Sequence, residues 1–469
     1  MSDIRFGTDG WRAGVAEDFT FGAVRRVAHG LARYVESDPQ RENRIVVGYD
    51  RRFASEYFAE SASDVLAQYG FDVILSDRAI PTQLSSFAAN QCDCMAFVVT
   101  ASHNQWLDNG IKIKDRTGAP AAQDVLRRVE AHIPDTEPIL PASSKSAAIQ
   151  DLTPPYIARL RSLVDIEAIG ADTSNFVIDA LHGCGAGWLE QLVTGTSIQF
   201  ETIRGTRDAY FGGVNPEPIL PNIDALCREV LARRSDGGFA FDGDADRVGL
   251  VTESGEFVNQ LQVFGLLYWH LLEDRKLTRP AVYTVSTTDM VPRLARAYGT
   301  EAHETPVGFK YVGPKMHEVD AIIGGEESGG FGFGFHLPER DGLLSALMLL
   351  EMRAQRAASF DEMLMQLQRE YGPSEYSRVD IRYSRTGYAD LVSSTMSKVS
   401  DDVDRAFAGE TILAKETMEA DNGFKLRFDD GSWLLLRFSG TEPVLRVYAE
   451  APSRDRVEDL LKAGKALAS

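Results

Sequence analysis

The sequence predicts an α/β protein, because strand and helix signals alternate along most of its 469 residues. In the first third, apolar strands are predicted at residues 44–50, 71–76 and 95–100. Helices are predicted between them, from Ser55 to Tyr69 with Ser55 as the N-cap, and from Pro81 to Gln91. Strands that alternate with helices indicate βα units and a mainly parallel sheet.

Two more blocks of the same kind follow a segment rich in proline, serine and threonine at residues 134–154, which we interpret as a domain boundary. The predicted strands and helices of the second block lie at residues 176–179, 223–234 and 238–241. Those of the third block, which begins near Glu253, lie at residues 260–273, 281–286, 290–298, 321–323 and 341–357. Both blocks therefore repeat the pattern of the first.

The last hundred residues differ from the rest of the chain. Strands are predicted at residues 425–428, 433–438 and 444–449 without a helix between them, and a terminal helix begins near Ser453. This order indicates an α+β module with antiparallel strands. We therefore divide the chain into domains at residues 1–145, 146–253, 254–372 and 373–469.

The composition excludes several classes of protein. Apolar residues make up 44% and charged residues 25% of the chain, which excludes a disordered or collagen-like protein. The net charge of −20 disfavours binding to nucleic acid or to an anionic membrane, and an anionic substrate therefore needs a locally positive pocket. The four cysteines form no CxxC pair, and we see no signal peptide and no run of 18 apolar residues. We expect free thiols and a cytoplasmic location.

Three apolar strands each lead into a polar loop that contains glycine or small residues. These loops surround Ser102 (TASHNQ), Asp244 (DGDADR) and Glu326 (GGEESGG). In open α/β sheets, ligands bind beyond the carboxyl ends of the strands. We therefore expect the three loops to converge on one cleft.

The second of these loops carries three carboxylates at alternate positions, Asp242, Asp244 and Asp246. Three carboxylates in a tight loop can bind one hard cation, and oxygen ligands favour Mg²⁺ or Mn²⁺ over zinc. An EF-hand is an alternative, with Glu253 at its twelfth position, but Arg247 stands where that loop requires glycine and the flanks resemble strands. A solvated acidic turn is the other alternative.

Ser102 follows a strand and precedes His103, so it is a candidate nucleophile, although a helix cap or turn serine is also compatible with this position. The sequence lacks a GxSxG elbow, which excludes the α/β-hydrolase pattern. Asn109-Gly110 indicates a turn that brings Lys112 back beside Ser102. A serine near a cation and a lysine suits phosphoryl transfer, which requires neutralised charge on the transferring oxygens.

The C-terminal segment RFSGTEP, residues 437–443, combines a cation, two hydroxyls and a glycine. This composition is typical of a phosphate-binding loop, and a hairpin turn between strands is the alternative. The glycines at residues 183–187 do not keep the spacing of a dinucleotide-binding loop, and no Walker A motif is present.

Taken together, TASHNQWLDNGIKI, DGDADR, GEESGG and RFSGTEP resemble the motifs of the α-D-phosphohexomutase superfamily, in the same order and with similar spacing. RFGTDGWRAG near the N-terminus and TPVGFKYVG also resemble family signatures. The resemblance extends along the whole chain. It implies four domains around a central cleft, namely three related α/β domains with mixed sheets and a smaller C-terminal α+β domain.

The resemblance also implies roles for individual residues. Ser102 would carry the transferable phosphate, and Asp242, Asp244 and Asp246 would bind one Mg²⁺ together with an oxygen of that group. The remaining catalytic residues would be Lys112, His103, Arg247 and Arg12. The residues expected to bind substrate are Gly308, Lys310, Glu326, Ser328, Arg437, Ser439, Gly440 and Thr441, the last four holding the non-reacting phosphate.

The implied activity is interconversion of hexose 1-phosphate and hexose 6-phosphate, with glucose as the expected hexose, through a phosphoserine and a hexose 1,6-bisphosphate that also acts as activator. A phosphomannomutase, a phosphoglucosamine mutase, a hexose bisphosphate synthase and a non-catalytic phosphosugar-binding protein are the alternatives.

Two residues depart from the family pattern. Gln105 stands where many relatives have proline, and Gly330 stands where some have histidine; the double glycine at residues 329–330 favours glucose 1-phosphate enzymes. The expected partners are small phosphosugars, and the chain is expected to be a monomer or homodimer.

Overall fold

The computed structural model describes residues 4–7, 9–38, 43–138, 145–384, 388, 390, 392–397, 403, 407, 409–418, 422–439 and 443–467. Within these residues the chain forms four β-sheets. None of the helices described is both long and apolar enough to cross a membrane. The four cysteines are free thiols.

The first sheet is mixed and has six strands. Its strands are β1 (Trp11–Gly14), β2 (Arg44–Tyr49), β3 (Asp72–Ser76), β4 (Met95–Val99), β5 (Asp108–Lys114) and β6 (Ala148–Gln150), and its helices are α1 (Phe21–Ser37), α2 (Ser55–Gln68), α3 (Thr82–Gln91) and α4 (Gln123–Ala131). The strand order is β1-β5-β4-β2-β3-β6. β2, β3, β4 and β6 run parallel, whereas β5 is antiparallel to β4 and β1.

The second and third sheets repeat this mixed arrangement with fewer strands. The second contains β7 (Asn175–Asp179), β8 (Gln199–Ile203), β9 (Gly238–Phe241), β10 (Val248–Val251) and β11 (Phe257–Val258) in the order β11-β10-β9-β7-β8, with α5 (Thr153–Leu163), α6 (Ile166–Ala171), α7 (Trp188–Leu192) and α8 (Asp224–Arg233). The third contains β12 (Ala281–Thr284), β13 (Ala302–Thr305), β14 (Ile323–Gly325) and β15 (Phe331–Phe333) in the order β13-β12-β14-β15, with α9 (Gln260–Trp269), α10 (Met290–Ala297), α11 (Phe309–Glu318), α12 (Gly342–Arg356) and α13 (Phe360–Tyr371).

The fourth sheet is antiparallel throughout, as expected from the strands that follow one another at the C-terminal end. It contains β16 (Glu375–Arg382), β17 (Ile412–Met418), β18 (Gly423–Phe428), β19 (Trp433–Phe438) and β20 (Val444–Ala451) in the order β16-β20-β19-β18-β17, and α14 (Arg454–Leu467) packs on it. Three mixed α/β sheets and one antiparallel sheet confirm the predicted fold class.

Two local predictions were wrong. Ser55 is the first residue of α2 and Ala54 takes the N-cap position, while the Ser55 hydroxyl donates a hydrogen bond to the buried carboxylate of Asp50, at 2.7 Å. Asn109 and Gly110 lie inside β5 and not in a turn. A Cβ atom at Gly110 would lie 2.6 Å from the carbonyl oxygens of both Thr100 and Trp11, so glycine is required there by close strand packing.

The apolar cores show which sheets pack together. One continuous cluster of buried side chains extends through the second and third sheets and includes Phe239 of β9, Phe331 of β15 and the apolar face of α12. The first sheet has a core of its own around α1 and α2, and so does the fourth sheet around α14. Leu84 and Phe87 of α3 join the shared cluster. Apolar packing through α3, which lies on β2 and β4, therefore joins the first sheet to the second and third.

Lys114 of β5 and Glu339, in the loop before α12, form an ion pair between the first and third sheets, and neither side chain is exposed. Losing one partner of a buried pair leaves an uncompensated charge and costs about 3 kcal/mol or more. We expect Lys114→Met and Glu339→Leu each to lower the urea midpoint of unfolding, and the double variant to recover much of the loss. Lys315→Met, at a surface pair with Glu318, is the matched control. Equal midpoints for K114M and K315M would contradict this assignment.

Candidate active site

The loops at the carboxyl ends of β4 and β9 pack against each other. The Ser102 hydroxyl, which follows β4, donates a hydrogen bond to Asp242 Oδ2 at 2.8 Å. Ser102 has a φ of 52° and Ala245 a φ of 59°, so both loops turn through left-handed backbone conformations that are uncommon for these residues. The structure thus brings the candidate nucleophile to the carboxylate cluster.

Gly243 permits this close approach. A Cβ atom at this position would lie 2.5 Å from the Ser102 carbonyl oxygen, which is closer than real Cβ contacts allow. The Gly243 amide donates to the Pro216 carbonyl oxygen at 3.1 Å, which fixes the loop from its other side. The glycine in DGDADR is therefore explained by the packing of one loop against the other.

Asp242, Asp244 and Asp246 are fully buried, and each offers a carboxylate oxygen within 4.8 Å of the others. Burial, and then the neighbouring Asp246 and Asp244, raise the pKa of Asp242 well above its usual value. Among the residues described, Asp244 Oδ1 and Asp246 Oδ1 are buried without a hydrogen-bond partner. Oxygens that are close together, buried and without donors fit a hard divalent cation such as Mg²⁺.

Two cationic side chains predicted for the site lie beside this cluster. Lys112 Nζ is 2.9 Å from Asp244 and 3.1 Å from Asp246, and although burial opposes its charge, these carboxylates raise its pKa. The same lysine, together with the Thr82 hydroxyl, lowers the pKa of Asp244 against the effect of burial. Arg247 Nε lies 3.8 Å from both Asp242 and Asp246. Lys112 and Arg247 therefore neutralise part of the negative charge of the cluster.

Two further residues of this network were not predicted from the sequence. Arg340 Nη2 lies 2.8 Å from Asp246 Oδ2 and 2.9 Å from Asp9 Oδ2. Burial opposes ionisation of Asp9, but Arg340, Lys112 and Arg12 hold its pKa well below the usual value. Asp9 lies within the RFGTDGWRAG segment, which could have indicated it, whereas the sequence around Arg340 contained no comparable signal.

Gly330 explains how Arg340 reaches the cluster. A Cβ atom at Gly330 would lie 2.3 Å from Arg340 Cδ, so the arginine stem occupies the space that a side chain at position 330 would need. The guanidinium then reaches Glu326, with Nη1 3.4 Å from Oε2. The double glycine of the GEESGG loop is thus linked to the position of an arginine from the loop before α12.

Glu326 and Ser328 face the same region from the loop between β14 and β15. Burial raises the pKa of Glu326 to about 7, although Arg340 acts in the opposite direction. The Ser328 hydroxyl oxygen is buried and forms no hydrogen bond with any residue that the structure describes. A carboxyl that changes charge near neutral pH and a buried hydroxyl without a protein partner are suited to bind the hydroxyls of a polar ligand.

Arg12 and His103 complete the group that the structure brings together. Arg12 donates to Asn104 Oδ1 at 2.7 Å and to Asp9 Oδ2 at 3.2 Å. His103 Nδ1 is 3.4 Å from the Ser102 hydroxyl oxygen. Burial, followed by the charges of Arg247, Arg12 and Lys112, lowers the pKa of His103 well below its usual value. The imidazole is therefore neutral at neutral pH.

The other predicted residues lie in or beside the third and fourth sheets. Gly308, with a φ of 127°, precedes α11, and Lys310 in the first turn donates to Gln123 Oε1 of α4 at 3.3 Å. Arg437 is near the end of β19, and the Ser439 amide donates to the Val444 carbonyl oxygen at 2.8 Å, in the connection between two antiparallel strands. Gly440 and Thr441 lie outside the described residues.

Four domain families match the chain in consecutive order. The phosphoglucomutase/phosphomannomutase α/β/α domain I matches residues 3–139, domain II matches residues 154–255, domain III matches residues 259–371 and the C-terminal domain matches residues 398–464. A serine beside a carboxylate cluster, framed by four such domains, defines a phosphohexomutase. The chain belongs to the phosphoglucomutase/phosphomannomutase family, within the α-D-phosphohexomutase superfamily.

Individual relatives are similar over their full length. The phosphoglucomutase/phosphomannomutase of Thermococcus kodakarensis is 27% identical over 462 residues, covering 98% of this chain and 97% of its own. The phosphoglucosamine mutase of Nautilia profundicola is 27% identical over 471 residues and covers 97% of both. The crystal structure of a putative phosphomannomutase from Thermus thermophilus matches with a TM-score of 0.87 and 33% identity, over 99% of both chains.

Replacing one carboxylate of the three-aspartate cluster tests whether the cluster binds a divalent cation. Because the pKa of Asp242 is raised in the folded protein, its ionisation destabilises the fold as the pH rises above the usual carboxyl range. We expect Asp242→Asn to raise the melting temperature by a few degrees at pH 8 in EDTA, as measured by differential scanning fluorimetry.

The same variant should lose the response to metal. Magnesium that binds the folded state raises the melting temperature of the unmodified protein, and D242N should show little of that increase. Asp93→Asn, at an exposed carboxylate away from the cluster, should respond as the unmodified protein does. An undiminished magnesium response in D242N would contradict a metal site at this cluster.

Proposed function

We propose that the chain interconverts hexose 1-phosphate and hexose 6-phosphate, with glucose as the first substrate to test, by transferring a phosphoryl group to and from Ser102. The observation that carries this proposal is the 2.8 Å contact between the Ser102 hydroxyl and Asp242, within a buried cluster of carboxylates. A nucleophilic oxygen adjacent to a cation site is the arrangement that phosphoryl transfer requires.

The residues that would hold Mg²⁺ are Asp242, Asp244, Asp246 and an oxygen at Ser102. When bound, the ion would supply positive charge to the oxygens of the transferring group. The protein would add the charges of Lys112 and Arg247, which already lie within 4 Å of these carboxylates. Because all of these groups are held in place before the substrate arrives, little reorganisation is needed during transfer.

The proposed reaction consists of two phosphoryl transfers, one from Ser102 to the sugar and one from the sugar back to Ser102. In the first, a sugar hydroxyl oxygen attacks the phosphorus of phosphorylated Ser102, the bond from phosphorus to Ser102 Oγ breaks, and Oγ takes up a proton as the sugar hydroxyl loses one. In the second, Ser102 Oγ attacks the other phosphate of the resulting hexose 1,6-bisphosphate, and the sugar regains a hydroxyl. The second transfer restores the phosphoserine. In a molecule whose Ser102 carries no phosphate, added hexose 1,6-bisphosphate would transfer a phosphoryl group to Ser102, leave as hexose monophosphate and so act as activator.

The sugar must be held in two orientations during this cycle. We assign its hydroxyls to Glu326 and Ser328, with Gly308 and Lys310 at the edge of the cleft. We assign the non-reacting phosphate to Arg437, Ser439, Gly440 and Thr441. Contacts to a phosphate are compatible with either end of the sugar, which lets one loop serve both half-reactions. Exclusion of water from the cleft would protect the phosphoserine from hydrolysis.

A phosphoglucosamine mutase is the second candidate, because several relatives along the full length of the chain bear that name. A phosphomannomutase has support from the Thermococcus and Thermus proteins. These sugars differ from glucose at C2, and the contacts of Glu326 and Ser328 do not distinguish the substituents at that carbon. The identity of the sugar therefore has to be measured.

The serine assignment predicts that Ser102→Ala abolishes mutase turnover, because phosphate-ester cleavage without the enzyme is extremely slow. Turnover is measured with glucose 1-phosphate, Mg²⁺ and glucose 1,6-bisphosphate in an assay coupled to glucose 6-phosphate. Intact-protein mass spectrometry should detect one added phosphoryl group in the unmodified protein and none in S102A. Ser63→Ala, at a buried serine in the first core, is the matched control and should retain full activity. Substantial activity in S102A would refute the phosphoserine mechanism.

A substrate comparison discriminates among the candidate activities. Rates with the 1-phosphates of glucose, mannose, glucosamine and N-acetylglucosamine are compared under the same conditions, and we expect glucose to be preferred. Comparable rates on all four would remove this preference. Accumulation of hexose 1,6-bisphosphate from a phosphoryl donor would identify a bisphosphate synthase. Binding without turnover of any of the four would identify a phosphosugar-binding protein.

A further inference from the structure

Arg52 is a buried cation that has no part in the mechanism proposed above. It is the third residue after the end of β2, and only 1% of its surface is exposed. A buried arginine carries a large desolvation cost unless its donors are satisfied. The partners of its guanidinium therefore indicate what the residue does.

Those partners are the carbonyl oxygens of the loop that contains Ser102. Nη2 donates to the carbonyl oxygens of Ser102 and Asn104, both at 2.6 Å. Nη1 donates to those of Gln105 at 2.8 Å and Asp108 at 3.0 Å. One planar group thus binds four backbone oxygens in a loop of seven residues, and its rigid shape limits how far they can move relative to one another.

Asp50 links the arginine to the other side of Ser102. It forms an ion pair with Arg52, with Oδ2 3.3 Å from Nε, and accepts a hydrogen bond from the Thr100 hydroxyl at 2.7 Å. The Thr100 hydroxyl oxygen in turn accepts the Ser102 amide at 2.9 Å. The amide and the carbonyl of Ser102 are therefore both bound by one network that ends on the same buried carboxylate.

The network also fixes Ser102 relative to the carboxylate cluster. Arg52 Cζ lies 4.9 Å from the centre of the Phe211 ring, which belongs to the segment between β8 and α8. The Ser102 carbonyl oxygen that Arg52 binds also faces Gly243, where no side chain can be accommodated. The guanidinium thus lies between the serine loop and Phe211, which comes from a connecting segment of the second α/β block.

We propose that Arg52 is a positioning residue that holds Ser102 in its left-handed conformation, with the hydroxyl directed at Asp242, so that phosphoryl transfer occurs without rearrangement of the loop. This inference rests on the proposed role of Ser102. Arg52 donates to backbone oxygens and not to the Ser102 side chain, so its contacts do not depend on whether the hydroxyl is free or esterified. A non-glycine residue with positive φ is strained, and its backbone partners supply the compensating stabilisation.

Arg52→Lys tests this role because it keeps the charge and removes the planar fork. We expect kcat for hexose 1-phosphate to fall about 100-fold, since small displacements of a reacting group have effects of this size, while KM changes less than threefold. Hydrogen exchange at the amides of residues 100–108, followed by mass spectrometry, should become faster. Arg204→Lys is the matched control, because Arg204 forms a similar partly buried contact with Asp179 and the Asn222 carbonyl oxygen in the second sheet.

A second pair of variants tests the same network independently of whether R52K folds. Thr100→Val removes the hydroxyl that joins Asp50 to the Ser102 amide, and Thr100→Ser keeps it. We expect T100V to reproduce the loss of kcat and the faster exchange, and T100S to restore both. The proposal is overturned if kcat of R52K or T100V stays within threefold of the value for the unmodified protein. It is also overturned if kcat of R204K falls as much as that of R52K, or if R52K changes KM without changing kcat.

The exchange measurement separates this inference from the proposed function. If the unmodified protein turns over no hexose phosphate, the proposed function fails, but faster exchange confined to residues 100–108 in R52K and T100V would still establish that Arg52 holds the loop. If the unmodified protein is an active mutase and exchange in this loop is the same in all variants, the positioning role fails and the mutase assignment stands.

Discussion

The structure depends on the confinement of three aspartates in a space from which water is excluded. Burial, and then repulsion by the like charges of Asp246 and Asp244, raise the pKa of Asp242 well above its usual value. The compensating cations come from different parts of the chain, with Lys112 on β5, Arg247 after the aspartate loop and Arg340 before α12. The carboxylate cluster therefore joins the first three sheets electrostatically, and these sheets are also joined by apolar packing.

Two kinds of interface support this arrangement. The second and third sheets share one apolar core, whereas the fourth sheet has a core of its own and meets the third through a small apolar cluster, in which Val285 packs on Trp433 and Tyr448, and through polar groups. Glu450, which is fully buried, accepts hydrogen bonds from the Thr288 hydroxyl at 2.6 Å, the Asp289 amide at 2.9 Å and the Trp433 indole at 2.6 Å. The first three sheets thus form a packed base, to which the C-terminal sheet is attached by a small apolar cluster and by specific hydrogen bonds.

Much of the fold and of the site could be predicted from the sequence, because it is encoded in local patterns. Alternating strands and helices indicated the α/β class, and the rule that loops at the carboxyl ends of strands converge indicated that Ser102 meets the aspartates. Contacts made at long range were not predictable. Arg52 binds backbone carbonyl oxygens, which every residue has, so the sequence of side chains does not reveal its partners. Asn109-Gly110 has the composition of a turn although it lies in a strand.

The Arg340 side chain occupies the space that a side chain at position 330 would need, and this packing restricts which substitutions the two positions can accept. Any side chain introduced at position 330 would have to displace the arginine stem, and with it the guanidinium that neutralises Asp246 and Asp9. Conversely, loss of the arginine alone would remove one of the cations that neutralise Asp246 and Asp9 and would leave Lys112 shared between them. The two positions are therefore coupled, because a side chain in the sugar loop at position 330 and the Arg340 stem in its present position cannot occupy the same space.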